Sequence, residues 1–139
     1  MKVAVEWNGE VAFTGATETG HKVAMDGPPE HGGRNLGPRP TELVLMGLGG
    51  CTSFDVVHVL RKGRADVRSC TTRIEADRAE EDPKVFTRIH VHFVISGRDL
   101  KEAAVERAIR LSADKYCSVS IMLAKTADIS HSFEIVDVK

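Results

Sequence analysis

Three cysteines, at positions 51, 70 and 117, are the residues of this chain with the widest chemical range. A thiolate is a nucleophile, a metal ligand and a redox centre, and which of these it becomes depends on its surroundings. Cys51 stands in "LMGLGGCTSFDVV", residues 45 to 57, directly behind Gly47, Gly49 and Gly50. Each glycine inside a helix costs about 1 kcal/mol relative to alanine. Three of them beside a cysteine imply that a substrate or a second backbone must come close to that segment. Cys117 lies in "DKYCSVSIML", where one helix ends and another begins. A thiol at a helix N-terminus is expected to have a lowered pKa, and Lys115 supplies a nearby cation. Cys70 alternates with Thr72 and Ile74 on the apolar face of a strand, where a small buried hydrophobe is expected.

Other groupings compete for attention. Cys51, Asp55 and His58 fall at i, i+4 and i+7, which puts them on one helical stripe. A Cys/His/Asp nucleophile would use these residue types, but two helical turns separate the thiol from the imidazole by about 10 Å. Asp55 is therefore expected to be a local hydrogen-bond partner, and His58 a partly buried histidine. His90 and His92 share one strand face without a third ligand, so a solvated face is expected there. His21, His31 and His131 are scattered, and Tyr116 beside Cys117 could line a pocket or simply pack. No CxxC pair and no metal-type cluster stands in the sequence, and no cofactor motif is evident.

These residues must be positioned by the elements around them. The 139 residues suit a single domain spanning 1–139, with 42% hydrophobic and 28% charged residues, a globular composition. Net charge is −1 with a pI near 6.6, and no basic stripe with interleaved aromatics argues for nucleic acid. No apolar run approaches the roughly 18 residues needed to span a bilayer, so no membrane span is expected. "MKVAVEWNGE" turns polar too soon for a signal peptide, and an odd cysteine count does not suit a secreted disulfide framework. The chain reads as cytoplasmic.

Residues 2 to 25 predict three short strands with turns at Asn8-Gly9 and Gly20. Residues 26 to 40 hold four of the five prolines and four of the twelve glycines, which precludes regular structure and marks a long, functional type of loop. Pro40 suits the first turn of a helix running to about residue 61. The apolar middle of that helix, Leu43 to Gly50, predicts burial on most sides. Two strands around residues 70–77 and 88–95 predict an antiparallel hairpin closed by "AEEDPK". Asp99 with Glu102 matches a capping box for a helix through about 115. A short helix over about 118–126 and a final strand in "SFEIVDV" complete an α+β chain.

"RPTELVLMGLGGCTSFDVV" and "KYCSVSIML" resemble the central-helix and second-cysteine segments of the OsmC/Ohr family, and the element order matches along essentially the whole chain. "GLGGC" in place of an Ohr-type "ACF" makes it more similar to the YhfA-like branch. The resemblance implies an OsmC-like fold, with antiparallel sheets wrapped around central helices in an intertwined homodimer. It also implies a thiol peroxidase for small-molecule organic hydroperoxides, with Cys51 peroxidatic and Cys117 resolving, recycled by an external thiol or dithiol reductant. In the Ohr branch an arginine and a glutamate activate the thiolate. Aligning on Pro40 puts Thr41 at the glutamate position with Glu42 one step later, and Arg39, then Arg34, are the arginine candidates. Two other readings remain open: a non-catalytic ligand-binding member of the fold, and a cysteine-dependent hydrolase or acyl transferase.

Overall fold

The computed structural model describes residues 1–139, which divide into two units, Met1–Met46 and Gly47–Lys139. In the first unit three strands, β1 (Val3–Trp7), β2 (Ala12–Thr17) and β3 (Lys22–Asp26), form an antiparallel meander in the order β1-β2-β3. Both tight turns are the expected ones. Gly9 and Gly20 take φ of +95° and +96°, a backbone conformation that glycine adopts at no steric cost.

The Pro/Gly-rich loop that follows is ordered by a side chain the sequence reading passed over. Asp26 is 1% exposed, and its carboxylate accepts backbone N–H bonds from Gly27 (2.9 Å), Arg34 (2.9 Å) and Leu36 (3.1 Å). One buried anion thus folds ten residues of loop around itself. The bonds from Arg34 and Leu36 hold its pKa below the ordinary 3.8. The loop's end meets the helix α1 (Pro40–Lys62), where Glu42 Oε1 accepts the Arg39 N–H at 2.8 Å. That is the returning half of a capping box, with proline in the first helical position.

The second unit contains the rest of α1, then β4 (Asp66–Arg78), β5 (Phe86–Arg98), α2 (Glu102–Leu111), a π-type turn at Ser112–Tyr116, α3 (Ser118–Leu123) and β6 (Asp128–Asp137). The sheet order is β4-β5-β6. The β4–β5 hairpin is antiparallel as expected, whereas β6 pairs parallel to β5, with Ile89 opposite Ile129 and Ile95 opposite Ile135. Parallel entry is possible because α2 and α3 intervene and carry the chain back to the far end of the sheet. Ile89, Val91, Phe93 and Ile95 all point from β5 into the core, and Val105, Ala108 and Ile109 of α2 are buried as well.

Three expectations need correction. The capping box at Asp99 is not formed: Asp99 sits at φ +54°, Lys101 is the N-cap, and no side chain caps the helix. The middle of α1 is not buried on most sides. Leu48, Thr52, Val56 and Leu60 form its buried stripe, while Met46, Gly50, Phe54 and His58 form an exposed one, with Phe54 70% exposed. Finally, α1 reaches a mean hydropathy of 1.7 over 18 residues, enough in length and composition for a bilayer span despite its interruptions. Its polar side chains are nonetheless used inside the protein: Thr52 and Asp55 bond to Ser112, and Ser53 to Thr72.

Gly49 has an internal reason to lack a side chain. A Cβ there would stand 3.0 Å from Ile74 Cδ1 and 3.2 Å from Thr72 Oγ1, so the helix touches β4 at this point. Added Cβ atoms at Gly47 and Gly50 would meet nothing within 4 Å.

The Asp26 cluster yields a stability prediction. A carboxyl whose pKa is lowered on folding stabilises above its unfolded pKa, and that contribution is lost as pH falls through the lowered folded value. Acid unfolding followed by circular dichroism is therefore expected to lose this contribution below about pH 3.8. Asp26→Asn, which cannot accept all three bonds as a charge, lowers the thermal midpoint by several degrees at pH 7. An unchanged midpoint would refute the anchoring role.

Candidate functional site

The helix α1 contributes Cys51 and Asp55, one turn apart on the same side. The turn between α2 and α3 contributes Cys117. The two sulfurs and an Asp55 carboxylate oxygen all lie within 4.8 Å of one another. Residues 66 positions apart in sequence are thus brought together, as expected for the cysteine pair. The carboxylate's place beside Cys51 follows from the expected i, i+4 stripe, whereas its approach to Cys117 and a grouping with metal-ligand character were not anticipated.

Local structure explains the meeting. After Leu111 the helix widens into a π-type turn, closed by the Cys117 N–H bonding to Ser112 O at 2.8 Å. Such turns occur frequently at functional sites because they re-aim side chains. Here Ser112 Oγ donates to Asp55 Oδ2 at 2.9 Å and lies 2.8 Å from Thr52 Oγ1. Thr52 and Ser112 are 1% and 0% exposed, so this chain of hydroxyls ties α1 to the turn in a setting where each polar atom must be satisfied. Cys117 then becomes the N-cap of α3, its sulfur accepting the Ser120 N–H at 3.3 Å.

The expected lowering of the Cys117 pKa does not occur. Burial, first, and then its hydrogen bond with the Cys51 sulfur push the Cys117 thiol up to about 12. The negative charges of Cys51 and Asp55 add to this, and the Ser120 N–H only partly offsets it. Lys115 does not help, since its ammonium lies over the Tyr116 ring, 5.5 Å from the centroid. Tyr116 is itself 52% exposed. The pair is therefore asymmetric: Cys117 is fully buried and holds its proton, whereas Cys51 is half-buried.

The other candidates separate from this pair. His58 is exposed and stacks on Phe54, with ring centroids 5.9 Å apart, so the Cys51/Asp55/His58 arrangement is not assembled and the expected partial burial of His58 is corrected. Cys70 is half-buried on β4, and burial raises its pKa, in keeping with a packing role. His90 and His92 bond to Ser130 and Ser132 across β5 and β6, and His92 Nε2 lies 3.4 Å from Glu134. Arg34, Arg39 and Glu42 all belong to residues 1–46. Arg34 gives its backbone N–H to Asp26, Arg39 reaches Gly37 O at 3.4 Å, and Glu42 closes the start of α1. The residue that sequence reasoning missed is Ser112, and its signal is faint, because a serine 57 positions from its aspartate partner carries no motif.

Comparison with known proteins places this geometry. A family model for OsmC-like proteins matches residues 31–132. Protein YhfA of Escherichia coli strain K12 is 47% identical over 136 residues, covering 98% of both chains. The crystal structure of a hypothetical protein from Aquifex aeolicus VF5 has a TM-score of 0.87 at 30% identity, covering 99% of this chain and 97% of that one. The organic hydroperoxide resistance protein OhrB of Bacillus subtilis shares the fold at 18% identity, with a TM-score of 0.65 and 96% coverage of each chain.

The asymmetry of the pair predicts unequal alkylation. With the Cys117 pKa about 12 rather than 9.0, its thiolate fraction at pH 8 is about 1000-fold below that of an ordinary thiol. Mass spectrometry of native protein treated with iodoacetamide is expected to find the half-buried Cys51 modified well before the buried Cys117. Equal rates would contradict the assigned environments.

Proposed function

Because this chain belongs to the OsmC-like family, we propose that it is a thiol peroxidase that reduces organic hydroperoxides through Cys51 and Cys117. The family and its hydroperoxide-resistance neighbours support a redox or stress-related role. The single observation that carries the finer reading is the approach of the two sulfurs to within 4.8 Å, one half-exposed and one buried and protonated.

The chemistry follows from that asymmetry. The Cys51 thiolate attacks the terminal peroxide oxygen, the O–O bond breaks, and the alkoxide leaves to be protonated to an alcohol. Cys51 is then a sulfenic acid. Cys117 attacks its sulfur, losing a proton, and hydroxide leaves as water with the formation of a disulfide. An Asp55 carboxylate oxygen lies within 4.8 Å of the Cys117 sulfur and is proposed as the acceptor of that proton. A protonated resolving thiol avoids placing a second thiolate beside the first before oxidation, which like-charge repulsion would oppose. An external thiol or dithiol returns the disulfide to two thiols.

The working form is proposed to be a homodimer in which a second copy covers the exposed stripe of α1. Apolar Met46 and Phe54 flank Gly50, and the space beyond Gly47 and Gly50 would let another backbone approach.

Two measurements test these readings. Reduced protein titrated with cumene hydroperoxide is expected to lose two thiols per chain, to lose none in Cys51→Ser, and to accumulate sulfinic acid in Cys117→Ser. Retention of all thiols at modest oxidant excess would favour a non-catalytic member of the fold. In analytical ultracentrifugation, Gly50→Leu is expected to sediment as a monomer with undiminished helix content, since leucine is the better helix former by about 1 kcal/mol. A dimer of unchanged mass would rule out this face as the interface.

A further inference from the structure

We propose that the reduced Cys51–Asp55–Cys117 cluster is a binding site for a divalent zinc-class metal ion, a property separate from peroxide chemistry. The three donor atoms already lie within 4.8 Å of one another. A tetrahedral zinc ion with Zn–S of about 2.3 Å and Zn–O of about 2.1 Å requires donor separations of about 3.6–3.8 Å. Binding would draw the donors together by about 1 Å at most around the ion. Two sulfurs and one carboxylate oxygen form the mixed, borderline-soft donor set that zinc accepts, with the fourth position left to an outside ligand on the half-exposed Cys51 side.

The surroundings are built as those of metal ligands commonly are. Ser112 donates to one oxygen of Asp55 and leaves the other available, and Thr52 bonds to Ser112 behind it. The Ser120 N–H points at the Cys117 sulfur. Such outer hydrogen bonds orient ligands and tune their basicity. No salt bridge of the protein involves Asp55, so its charge is not already spent on an arginine or lysine. Binding exchanges two thiol protons for the ion: two S–H bonds break, two Zn–S bonds form, two protons go to solvent, and nothing is oxidised or reduced. A bound ion would hold both sulfurs as ligands and so keep them from peroxide until it is withdrawn.

The test uses full-length reduced protein under anaerobic conditions with no peroxide, so its outcome is independent of whether the chain is a peroxidase. Cobalt(II) is the spectroscopic probe and zinc its competitor. One equivalent of cobalt per chain is expected to produce a thiolate-to-cobalt charge-transfer band, abolished by one equivalent of zinc. Cys51→Ser, at a half-exposed position that tolerates the change, loses the band, and Cys70→Ser keeps it. Asp55→Asn weakens binding at least tenfold, and Ser112→Ala weakens it about 10–100-fold with the band retained. Circular dichroism of each variant establishes that it is folded. Absence of the band at stoichiometric cobalt, its persistence in folded Cys51→Ser, or undiminished affinity in folded Asp55→Asn would each overturn the proposal.

Discussion

A buried thiol beside a second sulfur and a carboxylate is an electrostatically expensive arrangement, and the second unit of this protein is organised to sustain it. Cys117 is wholly removed from water and keeps its proton up to about pH 12. Its neighbours Cys51 and Asp55 are held on α1, because Asp55 is tethered to Ser112 by a part-buried bond and Ser112 to Thr52 by a buried one. Breaking the Thr52–Ser112 bond would leave a buried hydroxyl without a partner, at a cost of about 1–3 kcal/mol. The hydroxyl chain thus converts two distant segments into a single rigid corner.

Irregular backbone supplies the geometry. Ser112 keeps the helical conformation that turns it towards Asp55, whereas a regular α-helical continuation beyond it would rotate Cys117 away from the position where it caps α3. A similar economy governs the first unit, where Asp26 organises a loop too rich in proline and glycine to form its own backbone ladder. In both places one buried polar side chain replaces regular secondary structure as the source of order.

The central helix has two faces with different employments. Its buried stripe includes Thr52, and Gly49 lies against β4 with no room to spare. Its exposed stripe, Met46, Gly50, Phe54 and His58, is more apolar than a solvated helix face ordinarily is. The apolar middle that suggested burial all round is buried on one side only within the chain, and the homodimer proposed above is the reading that accounts for the other side.

Strand alternation, the turn glycines, Pro40 and the apolar spacing of residues 40–62 were all legible, because each is a local pattern repeated over several residues. Cys51 and Cys117 stood out for the same reason: both are embedded in composition that is unusual for its surroundings. The family's motifs then indicated that they belong together. What the sequence alone determined was therefore the set of elements and the pairing of Cys51 with Cys117, whose sulfurs the fold brings within 4.8 Å. The parallel entry of β6, the widened turn after α2, the loss of the Asp99 cap, and the rise rather than fall of the Cys117 pKa were decided only by tertiary structure. Each depends on groups dozens of positions apart, and desolvation in particular belongs to a packed environment and to no segment of the chain by itself.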